Sequence, residues 1–115
     1  AAMTDATQEF GLKGETLLAI REVLASFPTI ESATIFGSRA NGQHHEASDI
    51  DLALFGGPAL DLRVLYRVMD ALDELLLPYS FDLILFSTVG DPDVRDHILR
   101  VGLPFFDRES PTAPH

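Results

Sequence analysis

Apolar residues Leu17, Ile20, Leu24 and Phe27 recur at helical spacing, and Pro28 closes the segment, which predicts an amphipathic helix over residues 15–27. The pattern then shortens. Residues 30–36 and 49–55 are brief apolar runs that read as strands, the second closed by Gly56-Gly57-Pro58. Across residues 60–77, Leu62, Leu65, Met69, Leu72 and Leu76 share one face while Asp70, Asp73 and Glu74 lie elsewhere. That spacing predicts a long helix packed on the sheet and stopped by Pro78. Residues 80–86 give a third strand. Asp91-Pro92-Asp93 combines a cap, a first-turn proline and first-turn acids, so a short helix is expected to run through Arg100 and to end at Gly102. Residues 103–106 then form a short edge strand whose pairing Pro104 confines. The order helix, strand, strand, helix, strand, helix predicts an α+β domain: a mixed β-sheet with helices packed on one face and acids at its rim.

A chain of 115 residues that is 46% apolar builds one core, so any chemistry must sit on that single domain. The domain is expected to span residues 14–106, between an N-terminal tail of residues 1–13 and a disordered C-terminal tail of residues 107–115. Ala1-Ala2 ahead of Met3 reads as an added remnant. No stretch of eighteen apolar residues and no signal-like segment occurs in the sequence, so no membrane is expected and a cytoplasmic protein is. The absence of Cys removes disulfides and thiolate metal sites. Eight Lys and Arg against eighteen Asp and Glu give a formal charge of −10, which argues against a free-standing nucleic-acid binder. A nucleotide is a different case, because a bound cation offsets its phosphates.

Candidate chemistry concentrates in one stretch. Residues 33–36 end a strand, Gly37-Ser38 turn the chain into a short helical piece that Gly42 can end, and backbone N–H groups at such a turn can hold phosphate oxygens. Asp49 and Asp51 flank Ile50, so in an extended segment they point to one face, roughly 6.6 Å apart. At an effective dielectric of 20 they repel by about 2.5 kcal/mol, which a cation between them would relieve. Oxygen-only ligands favour Mg²⁺, with Mn²⁺ as the alternative, over Zn²⁺. Each half also has an ordinary reading: Gly37 as a turn glycine, Asp49 as a loop end, Asp51 as a solvated edge residue. Asp82 weighs against them, being a single charge in an apolar strand that would be costly to bury unpaired. With its strand beside the Asp49–Asp51 strand, three carboxylates meet. His44, His45 and Glu46 read as a solvated loop, and His97 as a helix-surface residue.

Gly37-Ser38, ten residues, then Asp49-Ile50-Asp51, followed by a strand Asp82, resembles the signature of the minimal nucleotidyltransferases of the DNA polymerase beta superfamily, over residues 14–106. The run from Leu75 to Leu83 is similar to a subgroup encoded beside a small helical substrate-binding or HEPN-type protein. The resemblance implies the polymerase beta palm-like nucleotidyltransferase fold and a nucleoside triphosphate substrate, chiefly ATP. It implies that Asp49 and Asp51 hold the metal carrying the triphosphate and share a second with Asp82. It also implies that Gly37 and Ser38 hold the β and γ phosphates. Asp82 would help deprotonate the acceptor hydroxyl. Arg39 has two readings, a phosphate contact or a structural bond to a backbone carbonyl or an acid.

The expected activity is transfer of a nucleoside monophosphate to a hydroxyl of a partner protein or partner-bound substrate, as in an antitoxin of a toxin–antitoxin pair, because the chain is too small to build its own acceptor pocket. A homo-oligomer is left open. The alternative is a catalytically weak nucleotide-binding module that docks and neutralises the helical partner. An Asp-x-Asp phosphatase or sugar transferase needs more chain and leaves the Gly37-Ser38 spacing unexplained.

Overall fold

The computed structural model describes residues 10–40, 42 and 49–108. The histidine loop, Ala1-Ala2 and the end of the chain lie outside them. Among these residues, three helices, α1 (Gly14–Ala25), α2 (Leu62–Asp73) and α3 (Pro92–Val101), accompany strands β1 (Ser32–Phe36), β2 (Ile50–Phe55), β3 (Phe81–Leu85) and β4 (Leu103–Asp107). The sheet order is β3-β2-β1-β4, with β2 and β3 parallel and the other neighbours antiparallel. This is a mixed α+β sheet, and β4 is indeed an edge.

Alternation along β2 decides what each face does. Ile50, Leu52 and Leu54 point into the main core with Ala33 and Ile35 of β1 and Leu83 and Leu85 of β3. There they meet Leu17, Ile20 and Leu24 of α1 and Leu65, Val68 and Leu72 of α2. The other face carries Phe36, Ala53, Phe55 and Ile84, and Ile98 of α3 packs there. Two helices therefore cover one face, as expected, and the third lies on the opposite one. Its approach depends on small residues: Ala53 leaves room beneath Ile98, and a side chain on Gly102 would overlap Thr34 and the Ile98 carbonyl.

α2 is shorter than the predicted 60–77 segment, and its buried stripe is Leu65, Val68 and Leu72; Leu62, Met69 and Leu76 are exposed. Positions seven apart drift by about 20° on a straight helix, and Val68 takes the inward position assigned to Met69. The helix is capped by Asp61, which accepts from the Val64 N–H, and it ends before a turn in which Leu76 has φ +55°. The described residues extend past 14 and 106 at both ends. Leu12 is fully buried and Phe10 lies 5.9 Å from Phe105, ring to ring. β4 runs to Asp107, and the Arg108 guanidinium donates to the carbonyl of Ala25, in the last turn of α1 where helix carbonyls lack intrahelical partners, and to those of Phe27 and Ile30 in the segment that follows.

Candidate active site

Five of the predicted residues, Gly37, Ser38, Asp49, Asp51 and Asp82, come together at one end of the two central strands. Phe36 pairs with Asp51 across β1 and β2, and Asp51 pairs with Asp82 across β2 and β3. All three side chains lie on the Ala53 face, because their neighbours Ile35, Leu52 and Leu83 point into the main core. The register is fixed beside the acids by the Ile50 N–H donating to the Ser80 carbonyl at 2.9 Å. Asp49 and Asp82 are exposed and Asp51 is half-buried. Among the described residues Asp82 has no ion-pair partner, and its exposure means that the strand does not bury it.

Electrostatics single out Asp51. Burial, then the Asp82 and Asp49 carboxylates, push its carboxyl above the ordinary value. Among the described residues no three carboxylate or imidazole groups stand close enough for a ready-made metal cage. The donor set still suits a hard divalent cation: three carboxylates on one edge, two on exposed, rotatable side chains, raising the charge cost at Asp51.

The turn beside them is built for close approach. Gly37 has φ +78° and opens a single 3₁₀ turn, Gly37–Arg39, closed by the Ala40 N–H on the Gly37 carbonyl. A side chain here would overlap the Asp51 carboxylate, so the turn and the acid can be adjacent only with glycine. Ser38 is half-exposed next to it. Arg39 is elsewhere: it is 2% exposed, its Nη1 donates to the Phe10 carbonyl at 2.8 Å, and its guanidinium lies over the Tyr79 ring at 5.0 Å. Of its two readings, the structure contains the bond to a backbone carbonyl. Tyr79 and Phe10 were missed as neighbours of the site, and only the apolar character of Tyr79 just ahead of the Asp82 strand hinted at one of them. His97 is exposed on α3. Of Leu75, Leu76 and Leu77, it is Leu76 that points outward, 88% exposed.

Residues 19–111 match the family Polymerase beta, Nucleotidyltransferase. The chain belongs to this family. A probable protein adenylyltransferase, MntA, of Haemophilus influenzae is 29% identical over 109 residues, covering 91% of this chain and 95% of its own. A toxin–antitoxin structure with AMP-PNP aligns with TM-score 0.66 at 21% identity, over 81% of this chain and 74% of that one. A Shewanella oneidensis complex of a tri-AMPylated HEPN toxin with its MNT antitoxin aligns with TM-score 0.61 at 18% identity, over 83% and 72%. These two structures share the fold. Among the described residues no helix is long and apolar enough to cross a membrane.

Proposed function

We propose that this member of the nucleotidyltransferase family transfers AMP from ATP to a hydroxyl of a small helical HEPN-type partner protein, as the antitoxin of a toxin–antitoxin pair. The observation that carries the reading is the joint placement of the Gly37 turn against Asp51 and of Asp82 across the β2/β3 register. The protein adenylyltransferase relative and the AMPylated HEPN toxin complex support AMP as the transferred group and a helical protein as acceptor. An ATP-consuming reaction of this kind belongs in the cytoplasm.

In this reading the N–H groups and hydroxyl of the Gly37-Ser38 turn hold the β and γ phosphates. Asp49, Asp51 and Asp82 would hold Mg²⁺, which when bound neutralises the growing charge on the pyrophosphate leaving group. The acceptor hydroxyl approaches from the Asp82 side, where the carboxylate is exposed, and gives up its proton there. Its oxygen bonds to the α phosphorus, and the bond from that phosphorus to the β-phosphate oxygen breaks. Arg39 is already committed to Phe10 and Tyr79, so it supports the turn and is not assigned to a phosphate.

The test is incubation of the chain with its partner, α-labelled ATP and Mg²⁺. Transfer of label to the partner, lost in Asp49→Ala, supports the reading. Tight docking without transfer by the wild-type chain overturns it in favour of a neutralising module.

A further inference from the structure

Arg39 lies beside the site without facing it, and the residues it touches connect the two halves of the site. Its backbone ends the 3₁₀ turn that begins at Gly37. Its side chain runs into the interior, donates to the Phe10 carbonyl and lies over the Tyr79 ring. Tyr79 adjoins Ser80, whose carbonyl receives the Ile50 N–H, and it stands three residues ahead of Asp82. Ile50 in turn precedes Asp51, and Asp51 packs beneath Gly37. These contacts close a ring: turn, guanidinium, aromatic ring, strand register, carboxylate, turn.

We infer that Arg39 and Tyr79 are positioning residues, a guanidinium–aromatic clamp that fixes the phosphate-binding turn relative to the Asp51 and Asp82 strands. The inference rests on the proposed transfer reaction for its kinetic arm, and on the fold alone for its structural arm. A guanidinium suits the task because it is planar and always charged, able to lie flat on a ring while its edge donates to a carbonyl. A lysine would keep the charge and lose that shape. Ser38 of the turn and Asp82 are 44 positions apart in sequence and belong to different elements, and the clamp is a direct side-chain link between the segments that carry them.

If the clamp sets alignment, loosening it should slow chemistry and spare nucleotide binding, because the turn N–H groups and Asp49 stay on their own elements. Arg39→Lys and Tyr79→Leu should each lower kcat by about 10- to 100-fold, the scale of a misplacement of about 1 Å, with KM for Mg-ATP within about threefold of wild type. Tyr79→Phe keeps the ring and should behave as wild type. The double variant Arg39→Lys/Tyr79→Leu should be no slower than the slower single variant, since both remove one contact. A rise of about tenfold in KM for Arg39→Lys with kcat retained, alongside a normal Tyr79→Leu, would overturn the clamp and make Arg39 a phosphate ligand.

Amide hydrogen exchange supplies the arm that needs no activity. Arg39→Lys and Tyr79→Leu should accelerate exchange at Ala40, which closes the turn, and at Ile50, which pairs with Ser80, while amides inside α1 keep their wild-type rates. Unchanged exchange at Ala40 and Ile50 overturns the clamp. If the wild-type chain transfers nothing to its partner, the functional proposal falls and exchange alone decides the clamp.

Discussion

The backbone of Gly37 lies against the carboxylate of Asp51 so closely that a Cβ on Gly37 would overlap Oδ2 and stand 3.2 Å from Cγ. The Gly37-Ser38 turn and the central acid are therefore one packed unit. Gly37→Ala must both strain a backbone at φ +78° and swing the Asp51 carboxylate out of place. The backbone cost is about 1 kcal/mol, readable as a lower midpoint in urea unfolding. The displaced carboxylate should cost more, about 100-fold or greater in label transfer, so activity should fall further than stability.

Asp51 also makes stability depend on pH. Its carboxyl is pushed up in the folded state, chiefly by burial and then by Asp82 and Asp49, so the folded protein holds that proton more tightly than the unfolded chain does. The charged form is then a burden on the fold at neutral pH, and the burden is relieved as pH falls through the raised value. Asp51→Asn should melt at a higher temperature than wild type at pH 7, and the gap should close as pH approaches 3.8, the ordinary value. A thermal scan across pH checks both, and a variant that melts lower at pH 7 would refute the sign.

Asp82 carries a different expectation, because it is exposed and unpaired among the described residues. Asp82→Asn should leave Mg-ATP affinity within about threefold by calorimetry, while kcat for transfer falls by about 10²- to 10⁴-fold, the range of a lost general base. Equal losses in both would assign it to nucleotide binding instead.

Removal of divalent cations with a chelator should abolish transfer, and Mg²⁺ or Mn²⁺ should restore it where Ca²⁺ does so poorly, since octahedral oxygen sites discriminate by ion size. Activity that persists in excess chelator would rule out the metal-dependent reading.

Leu12 tests where the fold begins. It is fully buried in the main core although it precedes α1, and Leu12→Ala should cost about 2–5 kcal/mol in urea unfolding. A cost near zero would return residues 10–13 to the status of a tail.

Much of the site was legible because its rules are local. A period of two puts Asp49 and Asp51 on one face, a glycine marks the turn, and a lone acid in an apolar strand marks Asp82. What escaped was decided by packing between distant segments. Phe10 and Leu12 sit outside any periodic run, yet Leu12 is fully buried in the main core and Phe10 packs against that core and Phe105. The Arg39–Tyr79 contact joins segments forty residues apart in sequence, and no spacing rule reaches that far. Met69 and Val68 both fit an apolar stripe, and only the angle at which α2 meets the sheet selects Val68. The sheet's second covered face arose the same way, from the small side chain of Ala53 and the bare backbone of Gly102.

The parallel pairing of β2 with β3 also sets a time at which the protein can first act. Asp51 meets Asp82 only after the chain has crossed over through α2, and parallel pairings wait on long loop closure. A nascent chain emerging from the ribosome carries the Gly-Ser turn and two acids long before the third. Until residues beyond β3 have cleared the exit, the growing polypeptide carries the Gly37-Ser38 turn with an incomplete set of carboxylates, and the proposed transfer has to wait.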